Sequence, residues 1–295
     1  MKKLFQNIYH ILPFKKEVYS ALKIIWHPGE STYRHLHFKG IFNVKINKER
    51  SFKIKHYGFQ LENEIFWAGL LSGWEKESVK LWIKLCENAE VVFDVGANTG
   101  VYSLIAKAIS PQSKVYAFEP VTRVMEKLKG NNSLNNFDII PVEKALSNFD
   151  GKAIIYDTTE EHIYSVTVNK NLNDPNRPIL KTEIETITLN TFIKQNNINK
   201  IDLMKLDVET HEPEVLEGFS EYFSKFRPTL LIEILDNEVG EKVQKLVVGL
   251  DYLYFNIDER GGIRQVQKIE KSDYYNYLFC TQAVANKLGL SSSKR

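Results

Sequence analysis

Val91-Val92-Phe93-Asp94-Val95-Gly96-Ala97-Asn98-Thr99-Gly100 decides the fold. Its first five residues form a short apolar run of the kind buried on both faces of a parallel sheet. A glycine-containing turn follows, and Tyr102–Ile109 continues at helical spacing. Gly96 permits a sharp turn and Gly100 lets the helix pack closely. Such a turn between strand and helix marks a nucleotide-type site. A dinucleotide fold asks for glycine at the middle position, where backbone meets a pyrophosphate. Asn98 stands there instead. A side chain at that place points to a ligand without pyrophosphate, and S-adenosylmethionine, a nucleoside joined to an amino acid, is one.

The same rhythm extends outward. Lys114–Glu119 reads as a second strand, Arg123–Asn132 as a helix and Asp138–Val142 as a third strand. Ile201–Asp207, Pro228–Ile234, Tyr252–Ile257 and Tyr277–Thr281 read as strands four to seven. This alternation predicts an α/β fold, a doubly wound parallel sheet with helices on both faces. An insertion at residues 150–190 separates strands three and four, with strand-like Lys152–Tyr156 and Glu183–Leu189. Before the sheet, residues 75–88 read as an amphipathic helix. Residues 4–26 read as two short helices divided by Pro13, and residues 41–57 as a hairpin turning at Asn47–Arg50. The expected division is an N-terminal helical and hairpin region, 1–74, and a catalytic domain, 75–295.

The second strand ends at Glu119, nineteen residues after Gly100. A carboxylate at this place accepts hydrogen bonds from both ribose hydroxyls. Other nucleotide sites are unsupported: no GxxxxGK[ST] phosphate loop occurs. Asp207-Val208-Glu209-Thr210 replaces the Asn/Asp-Pro-Pro-aromatic run needed to methylate base amino groups, and neither cysteine lies beside a proline. A nucleic-acid acceptor is therefore not expected.

These residues resemble the FkbM family of methyltransferases. The likeness rests on Asp94 through Leu104, Phe118-Glu119-Pro120, Ala145-Leu146-Ser147 before Asp150-Gly151, and Lys205-Leu206-Asp207-Val208-Glu209 trailed by Glu214-Val215-Leu216, across about residues 75–240. The resemblance implies a class I, Rossmann-like methyltransferase fold with a seven-stranded sheet, S-adenosylmethionine as cofactor, and O-methylation of a sugar, glycan or related metabolite. It implies that Asp94, Gly96, Asn98 and Gly100 line the methionine end and that Glu119 holds the ribose. Ala145 and Leu146 would lie against the adenine, Glu75 would touch the amino group, and Asp207 and Glu209 would border the transferring methyl. The family often has glycine after Asp-Val-Glu, where this chain has Thr210 and then His211.

Methyl transfer needs alignment of the reacting atoms and, for a hydroxyl acceptor, a base within reach. Glu209 and His211 lead as base, followed by Glu233, an acid inside the apolar run Leu230–Ile234; Asp207 can balance a positive sulfur. Asp207, Glu209, Glu233 and Asp236 also offer oxygens suited to a divalent metal such as Mg²⁺, whose need stays open. Tyr156, His162, Tyr164 and Ser165 in the insertion are candidate acceptor contacts. The alternatives are a nicotinamide oxidoreductase, which Asn98 and the Asp-Val-Glu motif speak against, and a non-catalytic glycan-binding module.

Composition bounds these readings. The chain has 295 residues, 43% apolar and 26% charged, ordinary for a globular protein. No stretch approaches the roughly 20 apolar residues of a membrane span. Met1-Lys2-Lys3-Leu4-Phe5 resembles a signal-peptide start, but Gln6, Asn7 and His10 break the run and no small-residue cleavage site follows. Two separated cysteines, Cys86 and Cys280, make no disulfide framework or zinc motif, and a cytoplasmic location is expected. The net charge of +2 hides an asymmetry. Residues 1–60 hold twelve Lys and Arg against three Asp and Glu, so +9, and the rest carries −7. Five of seven histidines (His10, His27, His35, His37 and His56) lie in the same stretch. Such an arm suits an anionic surface, either the inner membrane face or an acidic glycan, or simply a solvated face.

Overall fold

The computed structural model describes residues 14–158 and 179–290, with backbone alone at 156–158 and 179–180. The chain divides between Trp74 and Glu75 into two compact units.

In the first unit, α1 (Lys15–Ile25) and α2 (Glu30–Tyr33) precede a hairpin of β1 (Gly40–Lys45) and β2 (Ser51–His56), followed by α3 (Gln60–Trp67). The hairpin pairs Gly40 with His56 and Lys45 with Ser51. Strict alternation sends Phe42, Val44, Phe52, Ile54 and His56 inward and leaves lysines outward. Asn47 Oδ1 accepts from the amides of Glu49 and Arg50 and so closes the turn. Asn63 Nδ2 donates to Tyr33 O at 2.6 Å, and Asn63 Oδ1 lies 3.3 Å from His56 Nε2. Burial, the largest influence, pushes His56 down to about 4, so it is a neutral core residue at ordinary pH. The helix expected before Pro13 lies outside the described residues.

The second unit begins with α4 (Lys76–Cys86), β3 (Val91–Val95), α5 (Val101–Ile109), β4 (Lys114–Phe118), α6 (Thr122–Asn135) and β5 (Ile140–Val142). A three-stranded annex follows: β6 (Ala145–Leu146), β7 (Gly151–Thr158) and β8 (Ile179–Ile187). Then come α7 (Leu189–Gln195), β9 (Leu203–Leu206), α8 (Glu212–Glu217), α9 (Phe223–Phe226), β10 (Thr229–Glu233), α10 (Asn237–Val247), β11 (Leu253–Asp258), β12 (Gly262–Val266), β13 (Asn276–Cys280) and α11 (Gln282–Leu288). The main sheet runs β12-β11-β13-β10-β9-β3-β4-β5. All five residues of β3 are buried, as are all four of β9, which explains why their runs are apolar except at Asp94 and Lys205.

The seven expected strands are present, and an eighth, β12, joins them at the edge. The sheet is not parallel throughout. β5, β4, β3, β9 and β10 are parallel, whereas β13 is antiparallel to both β10 and β11. A parallel return from β11 needs a crossover, usually a helix. This chain makes a hairpin instead, in which Asp258 Oδ1 accepts from Arg260 N and Gly261 N and Gly262 takes φ 95°. β12 pairs with β11 there. Its residues are half-buried or exposed, which is why no strand pattern advertised it.

In the annex, β8 lies between β6 and β7. Ile155 and Ile184 pack with Val121 and Val124. Tyr156 falls on β7, and His162, Tyr164 and Ser165 lie outside the described residues. Cys86 and Cys280 are buried free thiols. Among the described residues no helix is long and apolar enough to cross a membrane.

Candidate active site

The strand order reverses at β3, which has β4 on one side and β9 on the other. A crevice opens at such a point beyond the carboxyl ends of the strands. Gly96, just after β3, takes φ 78°. A Cβ there would stand 1.8 Å from Asp207 O, so the turn after β3 and the turn after β9 touch through a position only glycine fits. The amides of Gly96 and Ala97 both donate to Phe118 O, at 3.1 and 2.9 Å. Asn98 has φ 52°, a conformation asparagine tolerates better than most residues. Its amide donates to Glu119 Oε2 at 3.2 Å, while Glu119 Oε1 accepts from Val121 N at 2.9 Å. Glu119 is 8% exposed, and its carboxylate is held by backbone amides at the end of β4. Gly100 caps α5 at φ 90°, where a Cβ would stand 3.1 Å from Leu128 Cγ. Asp94, buried under the turn, accepts through Oδ2 from Ser103 N at 2.9 Å and Ser103 Oγ at 2.6 Å. It ties β3 to the first turn of α5.

Beside this turn lies a cluster of carboxylates around one buried ammonium. Lys205, on β9 and 3% exposed, is ion-paired with Asp207, and its Nζ stands 4.6 Å from the Tyr102 ring centroid. Tyr102 Oη donates to Glu75 Oε2 at 2.5 Å. Burial alone would lower the Lys205 pKa; Asp207, Glu75 and Asp94 outweigh it and raise the group above its ordinary value. Glu75 and Asp94 are raised first by burial, with Lys205 opposing. Glu233, at the end of β10, is pushed up to about 10 by burial and then by Asp207, with Lys205 opposing and Glu209 and Glu75 adding. Four acids, Glu75, Asp94, Asp207 and Glu233, thus interact with Lys205, and Glu209 joins them through Glu233. Such a site favours a cationic ligand.

A family described as Methyltransferase FkbM domain matches residues 94–254. The chain belongs to the FkbM methyltransferase family. Hexuronic acid methyltransferase AglP of Haloferax volcanii is 26% identical over 148 residues, covering 50% of this chain and 56% of that protein. Methyltransferase sdnD of Sordaria araneosa is 28% identical over 158 residues, covering 44% of this chain and 60% of that protein. The chain therefore spans somewhat more than half the length of these relatives. A solved FkbM methyltransferase from Methylobacillus flagellatus KT shares 14% identity at a TM-score of 0.41, covering 65% of this chain and 44% of that one.

In this FkbM chain the Asp-Val-Glu segment forms a strained turn. Glu209 and Thr210 take φ 56° and 77°, left-handed values that a β-branched threonine rarely adopts. Glu212, 0% exposed, accepts from Val208 N at 2.9 Å through Oε1 and so closes the turn. Its Oε2 is buried and has no hydrogen-bond partner. Burial pushes this acid up to about 8; the Val208 amide opposes, and Asp207 and Glu209 add. His211 belongs to a different neighbourhood. Its Nε2 lies 3.1 Å from Ser147 Oγ and its Nδ1 3.5 Å from Glu214 Oε2. Burial lowers its pKa, with Glu214 and Glu217 opposing, so the imidazole is neutral at pH 7. The structure groups Glu75, Asp94, Asp207, Glu209 and Glu233 and leaves His211 with Ser147.

Asp236 is occupied elsewhere: its Oδ1 caps α10 by accepting from Val239 N at 2.8 Å. Among the described residues no group of three or more His, Cys, Asp and Glu is arranged to hold a metal ion. Ala145 and Leu146 pair with Thr186 and Ile187, Ala145 half-buried and Leu146 2% exposed. Sequence reasoning missed Lys205, Tyr102 and Glu212. The signal for Lys205 was available: a lysine inside the apolar strand Leu203-Met204-Lys205-Leu206 needs a partner. Glu259 was not legible, because it reaches α4 from a distant turn. There it accepts from Glu77 N, Ser78 N and Ser78 Oγ at 2.6, 3.2 and 2.5 Å, which fixes the helix that Glu75 precedes.

Proposed function

We propose that the protein transfers a methyl group from S-adenosylmethionine to a hydroxyl of a sugar or related metabolite. The observation that carries this reading is the direct link between the glycine turn and Glu119, a carboxylate locked by the amides of Asn98 and Val121 at the crevice. The carboxylate cluster fits the cofactor by charge, since buried Asp94 and half-buried Glu75, Asp207 and Glu233 surround one lysine and the cofactor brings a positive sulfur and a positive amino group. In this reading Glu119 accepts from the ribose hydroxyls, and Gly96 and Asn98 shape the path for the methionine portion. Asp94 and Gly100 support that turn from beneath. Ala145 and Leu146 border the adenine, and Glu75 and Asp207 attend the cationic end.

The cofactor supplies a methyl already activated for displacement. The chain's own part is to align, to exclude water and to take up the acceptor's proton. Glu233 carries its proton near neutrality and acts as a donor until a cation enters the cluster. Glu209, next to Asp207, is the proton acceptor we favour. His211, neutral and bonded to Ser147, serves an acceptor that reaches the annex side. AglP, named for a hexuronic acid, supports a sugar acceptor.

The test is calorimetric titration with S-adenosylhomocysteine. Glu119→Ala should weaken binding at least about tenfold, roughly one charge-assisted contact. It should also abolish the preference of the native protein for adenosine over 2′-deoxyadenosine. Unchanged affinity in a variant that melts as the native protein does would overturn the ribose assignment. Mass spectrometry of hexuronate-containing glycans incubated with the cofactor tests the acceptor, and no gain of a methyl group on any of them would remove the sugar reading.

A further inference from the structure

α1 is built inside out. Phe14, Val18, Ala21 and Ile25 recur at the spacing of one helix face, and Ile24 flanks them. A soluble helix turns such a stripe to the core. Here it faces solvent: Phe14 is 72% exposed, Val18 51%, Ile24 78% and Ile25 82%, and Trp26 at the helix end is 42% exposed. The inward face is made by Tyr19, whose ring lies tilted against Trp67 at 5.4 Å between centroids, and by lysine stems. Lys23 donates to Phe66 O and sits 5.0 Å from the Phe66 ring centroid, while Lys16 packs beside Gly40. Those contacts hold the helix in one orientation, so the apolar stripe is presented rather than merely uncovered.

We infer that this face of α1 docks on an anionic lipid surface. Charge selects that occupant. Residues 1–60 carry +9 and the rest of the chain −7. Pairing two copies through α1 would bring two such basic regions together, whereas an anionic bilayer attracts each of them by about 1 kcal/mol per nearby lysine or arginine. Large aliphatic side chains and a tryptophan in a stretch of chain rich in lysine and arginine are what an interfacial helix uses, with the apolar face among the acyl chains and the cations at the headgroups.

The test uses the full chain and co-sedimentation with two kinds of vesicle, phosphatidylcholine alone and phosphatidylcholine with phosphatidylglycerol. The native protein should sediment with the anionic vesicles and weakly or not at all with the neutral ones, and the binding should weaken as salt is raised. Tryptophan emission should shift to shorter wavelength on binding, and Trp26→Phe should remove most of that shift. Ile24→Ser combined with Ile25→Ser should lower partitioning at least roughly tenfold. Both residues are exposed, so the variant should melt as the native protein does. Absence of sedimentation with either vesicle, equal binding to both, or a double variant that binds as well as the native chain would each overturn the inference. So would a dimer in solution that the double variant dissolves, because the stripe would then be a contact between copies.

Discussion

Replacing Glu212 by glutamine isolates the energetic cost of the turn beside the candidate site. Glu212 holds its proton in the folded protein up to about pH 8, against an ordinary carboxylate value of 4.5. Between those values the unfolded chain has released the proton and the folded one has kept it. Unfolding therefore releases a proton, and stability falls as pH rises. The loss begins above pH 4.5 and is complete above about pH 8. At about 1.4 kcal/mol per pH unit it reaches roughly 5 kcal/mol, of which about 4 falls between pH 5 and 8. Glutamine keeps an oxygen for the Val208 amide but cannot ionise. It also places an amide nitrogen where the Glu212 Oε2 has no partner, a roughly constant cost of about 1–3 kcal/mol. E212Q should thus be the less stable protein at pH 5 and the more stable one at pH 8. Urea unfolding followed by circular dichroism at unit steps of pH measures the crossing. Glu233 adds a slope of the same sign, but it is common to both proteins and cancels in the difference. Parallel curves would show that Glu212 is ionised in the folded state, and the account of the turn would fail.

Other substitutions probe neighbouring claims. Thr210→Gly relieves a β-branched residue at φ 77° and should stabilise the protein by about 1 kcal/mol in the same unfolding assay, with a loss of stability counting against strain at this position. Gly96→Ala drives a methyl group into Asp207 O and should cost more than about 3 kcal/mol, seen as failed folding or a sharply lowered melting temperature. Lys205→Met removes the single cation of the buried cluster and should cost about 3–5 kcal/mol at pH 8. The carboxylates left without it take up protons as pH falls, so that penalty should shrink towards pH 4, and a penalty independent of pH would refute the ion cluster.

Much of the second unit was legible because its information is local. Short, largely apolar runs such as Val91–Val95, interrupted only by Asp94, are buried on both faces and read as inner strands without knowledge of their neighbours. The turn at Gly96–Gly100 is equally local, since glycine and asparagine are the residues that accept its positive φ values. The direction of β13 was not legible. Its five buried residues look the same in a parallel or an antiparallel strand, and only its pairing with β10 and β11 decides. Glu119 was found by spacing. Its attachment to the amides of Asn98 and Val121 could be seen only once β3 and β4 lay side by side.

Sequence by itself determined the order of the strands along the chain, the turn chemistry at Gly96–Gly100, the family likeness and the charge imbalance of residues 1–60. All of these depend on residues close together in the chain or on composition. Only the tertiary structure decided that Glu75, Asp94, Asp207 and Glu233 gather around Lys205 with Glu209 beside Glu233, that His211 sits with Ser147 instead, and that the apolar stripe of α1 faces outward. Each of these is set by where distant segments come to rest. Burial and mutual charge then determine which acids keep their protons, and no spacing along the chain encodes that.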